Sequence, residues 1–209
     1  DTPAIGQYSP FYNYLSSLVY CNFQLLKIPV HKIVSDYLRM VNDMRRETAF
    51  FNQFGEYSCK SEKDAYEKFY SKGETMNYYI NALMISQVLW IHHYKTLEYF
   101  DKNIKSYFGK NDKISVLDVG AGHGLYSSII ADTFVNYQKI DVFDISEASL
   151  SITEKLLGDD RIEYHKTKPI RKYDEIIMGE VIEHMDYPAS ALISMAEMLT
   201  DEGVMWVST

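Results

Sequence analysis

The first half of the chain has apolar residues at helical spacing and no strand-like alternation of apolar and polar positions. Residues 15–26 are rich in apolar side chains and stop before Pro29, and Gly55 and Gly73 interrupt the pattern further along. Between Gly73 and the middle of the chain, apolar residues recur on one stripe of a single long helix. The pattern predicts four helices, at about 15–26, 31–52, 61–70 and 74–108.

The second half alternates short apolar runs with amphipathic stretches, starting after Lys113. This order predicts an α/β fold with a doubly wound, mainly parallel sheet and right-handed crossovers. We therefore divide the chain into an all-α N-terminal region, 1–110, and an α/β region, 111–209. The predicted strands are at about 114–119, 139–143, 161–165, 173–178 and 203–208, with helices at about 123–134, 146–157 and 189–199.

Composition is that of an ordinary globular protein, with 46% hydrophobic and 24% charged residues among 209. Cys21 and Cys59 have no metal-ligand or redox spacing, and so few cysteines favour a reducing, cytoplasmic setting. No apolar run approaches the roughly 20 residues of a membrane span, so we expect no membrane partner. The chain begins with Asp1 rather than Met, which is consistent with a natural start further upstream.

Charge is unevenly distributed between the two regions. Residues 1–110 carry 13 basic and 11 acidic side chains, whereas residues 111–209 carry 8 basic and 18 acidic ones. Affinity for nucleic acid comes mainly from Lys and Arg at phosphates, so a strongly acidic α/β region disfavours a nucleic-acid partner. The basic run at 166–172 could meet a substrate phosphate, but the pattern favours a solvated loop.

A glycine-rich turn joins the first predicted strand to the helix that follows. Residues 119–124 read Val-Gly-Ala-Gly-His-Gly. Glycines let the backbone approach a nucleotide-like ligand at the carboxyl end of a strand, and the helix N-terminus offers N–H groups to an anion. Asp144 ends the second strand 20 residues past Gly124, where a carboxylate can accept hydrogen bonds from ribose hydroxyls. The turn therefore predicts a nucleoside-binding site.

Two classes of nucleotide-binding protein have a glycine-rich turn at this position of the fold. A dinucleotide-binding dehydrogenase would have its third glycine at position 125, which is Leu125 here. The spacing Gly-x-Gly-x-Gly, with Asp118 two residues before the first glycine, resembles motif I of class I S-adenosylmethionine (SAM) dependent methyltransferases. The resemblance covers about residues 112–209 and continues through 173–185 and 199–205. It implies a Rossmann-like fold that binds SAM and releases S-adenosylhomocysteine (SAH).

The resemblance also implies roles for individual residues. Asp118 would position the amino-acid end of SAM, and Asp144 would bind its ribose. The residues predicted to bind the cofactor are Asp118, Gly120, Ala121, Gly122, Gly124, Asp144, Ile145, Gly179 and Tyr79.

Three features depart from the family pattern. The family often has an acidic residue after the third strand for the adenine amino group, and this chain reads His-Lys-Thr-Lys at 165–168. The link between the third and fourth strands is too short for the usual helix. The chain also ends on its fifth strand, so the sixth and seventh strands of the family fold are expected to be missing, through truncation, through disorder of the tail or because the protein lacks them.

The acceptor side of the site is predicted after the fourth strand. Methyl transfer from a sulfonium needs a general base only when the acceptor arrives protonated. We predict Glu180 and His184 as the catalytic residues, with His184 as the base and a capping or packing role as its alternative. We predict no metal, although the spacing of Glu180, Glu183 and His184 also resembles a divalent-metal segment of small-RNA 3′-end methyltransferases.

The helical region is predicted to form a lid. Aromatic faces can sandwich adenine or attract a sulfonium cation. His92 and His93 lie on different sides of a helix, so at most one of them is expected to face the pocket. The same helices could instead pair two subunits, which keeps a homodimer possible. The clustered lid tyrosines are Tyr66, Tyr70, Tyr78 and Tyr79.

Three functions remain to be distinguished. The leading hypothesis is a SAM-dependent enzyme that methylates an O or N atom of a small-molecule metabolite under the helical lid. A metal-assisted RNA 3′-terminal methyltransferase and a non-catalytic SAM-binding or scaffold module are the alternatives.

Overall fold

The computed structural model describes residues 9–109 and 112–209, with helices first and alternating strands and helices afterwards. A π-helix, Tyr66–Tyr70, and a short 3₁₀ helix, Ile182–His184, supplement the regular elements. The α-helices are α1 (Pro10–Leu25), α2 (Val30–Phe54), α3 (Glu62–Ala65), α4 (Gly73–Leu89), α5 (Ile91–Tyr107), α6 (Leu125–Thr133), α7 (Glu147–Leu157) and α8 (Pro188–Ala196). The strands are β1 (Ser115–Val119), β2 (Lys139–Phe143), β3 (Ile162–His165), β4 (Tyr173–Gly179) and β5 (Leu199–Ser208).

The strands form one sheet in the order β3-β2-β1-β4-β5, and each neighbouring pair is parallel. The predicted α/β fold with an all-α first region is therefore confirmed. The order of strand addition reverses between β1 and β4, and ligands of such sheets bind outside the carboxyl ends of the strands at this reversal. The glycine-rich turn and the segment after β4 both lie at this place.

The predicted helix at 74–108 is wrong in one respect, because the chain forms two helices, α4 and α5, that meet at Trp90. Trp90 has an extended backbone, with φ −101° and ψ 122°. Its indole N–H donates to the Tyr37 hydroxyl at 2.8 Å, and its ring lies 4.8 Å from the ring of His93. These tertiary contacts override a local helix propensity that no glycine or proline interrupts.

The predicted helix at 61–70 is also irregular. It starts as α3, where the Ser61 hydroxyl accepts a hydrogen bond from the Asp64 N–H at 3.2 Å, and it widens into the π-helix. Such wide turns are rare and frequently occur at functional sites. This one carries Tyr66 and Tyr70, two of the predicted lid tyrosines.

The helical region and the sheet share one hydrophobic core. The Phe100 ring of α5 meets the Tyr126 ring of α6 edge-on, with centroids 4.9 Å apart. The Tyr14 hydroxyl of α1 also donates to the Asp132 carboxylate at 2.7 Å. Both contacts hold the helices on the face of the sheet that carries α6. The buried residues of this core include Leu15, Val19, Phe23, Met84, Leu97, Phe100, Ile104, Val116, Leu125, Tyr126, Ile129 and Ile140.

The opposite face of the sheet carries α8 and, beside β2, a polar network in place of a helix. As predicted, the link at 166–172 contains no helix. Asp141 is fully buried on β2 and accepts from the Tyr173 hydroxyl at 2.6 Å. The guanidinium of Arg171 lies 3.3 Å from the same carboxylate, and His165 Nε2 lies at 2.9 Å. These partners compensate a buried charge that would otherwise be costly.

The basic side chains of the run at 166–172 are exposed, and each also has a partner within the protein. Lys166 pairs with Glu147, and the Lys168 ammonium lies 2.5 Å from the Ser194 hydroxyl. The Lys172 ammonium donates to backbone carbonyl oxygens of residues 197 and 199.

Among the helices that the structure describes, none combines the length and the apolar character that a membrane-spanning helix requires.

Candidate active site

The glycine-rich turn follows β1 directly and bends through three left-handed residues. Gly120, Gly122 and Gly124 have φ values of 66°, 52° and 70°, a region that side chains disfavour. A Cβ on Gly120 would strike the Val181 side chain, whereas at Gly122 the nearest atom would be 3.7 Å away. The turn therefore fits closely against the segment after β4 and leaves the backbone of Gly122 accessible to a ligand.

Asp118 lies beneath this turn, at the next-to-last position of β1, and is 1% exposed. Its carboxylate accepts a hydrogen bond from the Ser127 hydroxyl at 2.6 Å. Burial raises the pKa of Asp118 to about 6, against the effect of that hydrogen bond. A buried carboxylate without a basic partner is stabilised by a cation. The Asp118 carboxylate therefore suits the ammonium of an amino-acid ligand, from which it can accept hydrogen bonds.

Asp144 follows β2 and connects two loops. Its carboxylate accepts from the Gly122 N–H at 3.1 Å and from the Ser146 N–H at 2.8 Å. Burial raises its pKa, partly offset by these hydrogen bonds. Two backbone contacts fix the orientation of the carboxylate, whose remaining lone pairs could accept from ribose hydroxyls. The neighbouring Ile145 is 46% exposed and offers an apolar surface at the same edge.

The end of β4 carries a strained residue. Gly179 packs so closely against the Tyr126 ring that any larger residue would collide with it. Glu180 has a positive φ of 55° although it is not glycine, and its N–H donates to the Ser208 carbonyl at 3.1 Å. Such backbone strain is concentrated at functional sites, where the surrounding structure holds it in place. Its exposed carboxylate lies next to the glycine-rich turn, on the acceptor side predicted from the sequence.

Glu183 and His184 follow on the 3₁₀ helix, with side chains 32% and 50% exposed. Their nearest polar atoms are 4.0 Å apart. Metal-ligand atoms of the described residues, 9–109 and 112–209, converge at another place. The side chains of Asp141, Glu163 and His165 each bring one such atom within 4.8 Å of the others, and the segment 180–184 forms no such group. Lys139 and Arg171 already pair with that group, so its charge is satisfied without a metal ion.

Tyr70 and Tyr79 are the two tyrosines of the helical region that interact with the acidic segments after β2 and β4. The Tyr70 ring lies 6.4 Å from the His184 ring in an edge-on arrangement. Burial raises the pKa of Tyr70 to about 12, and the negative charges of Asp144 and Glu183 act in the same direction. Burial and Glu183 likewise raise the pKa of Tyr79. Tyr70 therefore lies beside His184, in the segment after β4.

The other two lid tyrosines face elsewhere. The Tyr78 hydroxyl donates to the Asp43 carboxylate at 2.9 Å, and the Arg39 guanidinium lies 3.8 Å from the Tyr78 ring centroid. Tyr66 is 37% exposed and lies near the Lys166 ammonium.

A reciprocal pair of hydrogen bonds connects the start of α3 to the segment after β4. The Glu62 N–H donates to the Asp186 carboxylate at 3.0 Å, and the Asp186 N–H donates to the Glu62 carboxylate at 2.7 Å. Sequence reasoning missed this contact, because it joins residues 124 apart through backbone N–H groups. It holds α3 and the π-helix beside the acidic segment.

Cavity volume does not identify the site. A cavity of about 330 Å³ is lined by residues that include Tyr14 and Phe134, and one of about 260 Å³ is lined by residues that include Val41 and Trp90. Both lie away from the glycine-rich turn. We assign the site on its chemistry, because buried carboxylates, a glycine-rich turn and a strained residue at the sheet reversal are specific features that these two cavities lack.

Comparison with known proteins identifies the family. Residues 90–209 match the family described as "Methyltransferase domain". The chain therefore belongs to this family, the class I methyltransferases that use SAM. The matched segment starts at the junction of α4 and α5, so α5 is included with the α/β region.

Curated relatives match over a similar part of the chain. The ubiquinone biosynthesis O-methyltransferase of Rickettsia canadensis is 28% identical over 118 residues, which cover 54% of this chain and 50% of the relative. The protein of the same name from Shewanella pealeana is 30% identical over 119 residues, covering 54% and 49%. The chain thus spans about half the length of the curated relatives that it matches.

Solved structures of similar fold were also found. The ribosomal protein L11 methylase of Lactobacillus delbrueckii is 19% identical with a TM-score of 0.44, covering 54% of this chain and 58% of that one. The plantazolicin methyltransferase BamL, in complex with a triazolic desmethylPZN analogue and SAH, is 16% identical with a TM-score of 0.44, covering 58% and 53%.

We predict that SAH affinity depends on the ionisation of Asp118. The ligand ammonium favours the carboxylate, so Asp118, whose pKa is about 6 in the free protein, must lose its proton on binding. Affinity is expected to be constant above about pH 7 and to fall about tenfold per unit below pH 6. Asp144, whose pKa is also raised by burial, would steepen this fall. Calorimetric titration between pH 5 and pH 8 measures it.

The matched variants separate this effect from general acid sensitivity. Asp118→Asn is expected to weaken SAH binding by roughly 10- to 100-fold at neutral pH and to reduce the pH dependence. Glu202→Gln, at an exposed carboxylate far from the turn, is the control and should behave as the wild type does. Equal wild-type affinities at pH 5 and pH 7 would contradict the assignment.

Proposed function

We propose that this chain transfers the SAM methyl group to an oxygen or nitrogen atom of a small-molecule metabolite. The observation that carries the proposal is the pair of buried carboxylates, Asp118 and Asp144, beside a glycine-rich turn that fits closely against the segment after β4. The names of the curated relatives, which are O-methyltransferases, support oxygen as the acceptor atom.

The cofactor assignment follows the geometry of the turn. In our proposal Asp118 binds the ammonium of SAM, Asp144 binds the ribose, and the backbone of the turn faces the amino-acid portion. SAM supplies a methyl carbon bonded to a positively charged sulfur. Tyr79 is proposed to approach the cofactor from the lid, together with Tyr70, whose ring lies 6.4 Å from that of His184. The other proposed contacts are Gly120, Ala121, Gly122, Gly124, Ile145 and Gly179.

On the acceptor side we propose Glu180 and His184 as the residues that receive the substrate. Glu180 stands next to the turn in a strained conformation, and His184 lies at the outer edge of the site against Tyr70. Carboxylates at this position favour an acceptor that donates hydrogen bonds, such as a phenol, an alcohol or an amine. A carboxylate or phosphate group would be repelled from them.

A small acceptor fits the surroundings better than a nucleic acid. The α/β region has an excess of 10 acidic charges, and several of its basic side chains are already paired. We propose that residues 1–110 act as the lid of this site and residues 111–209 as its SAM-binding domain. A cytoplasmic location and a homodimer through the helical region remain proposals that accompany this function.

The acceptor class is tested by following label from tritiated SAM into four acceptors: 4-nitrocatechol, benzylamine, a short RNA and a protein mixture. We expect label in a small phenol or amine and none in RNA. Asp144→Asn is expected to lower the transfer at least tenfold through weaker cofactor binding. Label in RNA alone would contradict the proposal, and SAH binding without label in any acceptor would favour a non-catalytic module.

A second prediction uses the strained residue. Glu180→Gly is expected to increase the free energy of unfolding by about 1 kcal/mol, because glycine adopts positive φ without strain. The same change should lower methyl transfer, since it removes the proposed acceptor-side carboxylate. Glu183→Gly, at a residue outside the left-handed region, should destabilise the fold instead. A Glu180→Gly variant that is less stable, or fully active, would contradict this interpretation.

A further inference from the structure

Ser127 is a polar residue on the side of α6 that packs against the core. Ile130 and Ala131 follow it at three and four positions, so the three residues share one side of the helix. Ile130 is fully buried in the core between the helices and the sheet, and Ala131 packs against the same core. Ser127 itself is 0% exposed, and a buried hydroxyl is costly unless it is hydrogen-bonded. The partner of this hydroxyl therefore indicates what the residue does.

That partner is the carboxylate of Asp118 on β1. The Ser127 hydroxyl donates to Oδ2 of Asp118 at 2.6 Å, since an ionised carboxylate can only accept. The contact crosses the glycine-rich turn and joins residues nine positions apart. Leu117 and Val119 belong to the core on the opposite face of the sheet. Alternation along β1 therefore directs Asp118 to α6, where Ser127 receives it.

The neighbouring Ser128 shows how a buried serine of this helix is satisfied without a carboxylate. Its hydroxyl donates at 2.9 Å to the carbonyl of Gly124, the backbone oxygen four positions earlier. Serine side chains in helices commonly form such a bond. The Ser127 hydroxyl instead donates to Asp118, and hydrogen bonds to ionised groups are about twice as strong as those between neutral groups. The two adjacent serines thus differ in their partners rather than in their chemistry.

The contact with Ser127 opposes the effect of burial on Asp118. Burial raises the pKa of this carboxyl to about 6, the Ser127 hydroxyl and N–H lower it, and the negative charge of Asp144 raises it. The nearby Tyr126 hydroxyl is neutral, because burial raises its pKa to about 12. Among the residues that the structure describes, the basic side chains do not act on Asp118. The Ser127 hydroxyl is thus the side-chain donor that favours the ionised form.

We propose that Ser127 is a positioning residue of the SAM site: its hydroxyl holds Oδ2 of Asp118 and keeps the carboxylate ionised, which leaves Oδ1 to accept from the ligand ammonium. This inference rests on the proposed binding of the SAM ammonium by Asp118. Ser127 is fully buried and acts on the cofactor through Asp118. Its effect is on the affinity of the free protein for SAM or SAH and does not involve the methyl acceptor.

The pH dependence of SAH affinity tests this role, through calorimetric titration of Ser127→Ala and the wild type between pH 5.5 and pH 8. Loss of one hydrogen bond to a charged group is expected to move the fall in affinity upward by about one pH unit. The variant should bind SAH within about threefold of the wild type at pH 8, and this ratio should grow about fivefold further by pH 6. A loss of packing alone would lower the affinity by the same factor at every pH.

Ser128→Ala is the matched control, because it removes a buried hydroxyl from the next position of the same helix. Its SAH affinity is expected to follow the wild-type pH dependence. Thermal unfolding of each variant establishes that it is folded at the temperature of the titration. A Ser127→Ala curve parallel to that of the wild type, or an equal displacement of the curve in Ser128→Ala, would overturn the proposal.

The titration of Asp118 itself can be followed without a ligand. Carbon-13 NMR of the Asp118 carboxyl, assigned with Asp118→Asn, is expected to show a midpoint near pH 6 in the wild type. In Ser127→Ala the midpoint should lie about one pH unit higher. Equal midpoints in the two proteins would overturn the proposal, even if the variant binds SAH poorly for another reason.

These measurements separate the inference from the proposed function. If Asp118→Asn binds SAH as the wild type does, the proposed contact of Asp118 with the cofactor is wrong, and the role of Ser127 falls with it. If Asp118→Asn weakens binding while Ser127→Ala keeps the wild-type pH dependence, the assignment of Asp118 stands and that of Ser127 alone is wrong. Neither result depends on which acceptor is methylated.

Discussion

The packing of α5 against α6 is the contact on which the arrangement of the candidate site depends. Phe100 and Tyr126 meet edge-on within a core that also contains residues of α1 and β1. Because α6 begins directly after the glycine-rich turn, any helix fixed on α6 is also fixed relative to the turn. The helical region is therefore anchored beside the site through buried apolar surface rather than through a flexible link.

The break at Trp90 determines how α4 is placed relative to the anchored helix α5. A continuous helix through residue 90 would carry α4 past the turn in a straight line. The extended backbone at Trp90 instead lets α4 supply Ser86 and Gln87 to one edge of the His93 ring of α5. The family match also begins at residue 90, at this break.

Most of the α/β region could be predicted from sequence because each of its signals is local. Short apolar runs specify strands, and the spacing of Asp118, the glycines and Asp144 follows from what a nucleoside requires of strand ends. The helical region was predicted less well, because its irregularities come from tertiary contacts. Trp90 leaves the helix for a hydrogen bond to Tyr37, 53 positions away.

The candidate site follows the same division. The carboxylates under the turn could be anticipated from their spacing, whereas the position of Glu180 in the left-handed region has no sequence signal such as glycine or asparagine. The tyrosine-rich helices predicted a lid without specifying its members, because helix phase and the π-turn decide which rings face the carboxylates. Ser127 and Ser128 are adjacent in the sequence, so only the contact with the Asp118 carboxylate distinguishes Ser127.

The central claim is that the helical region completes the SAM site. Hydrogen–deuterium exchange with and without SAH tests it most directly, because exchange reports local opening segment by segment. Slower exchange is expected on SAH binding in the turn at 120–124 and also in the lid at 62–70 and around 90–93. Protection confined to the turn, with the lid segments exchanging at the same rate in both states, would contradict the account.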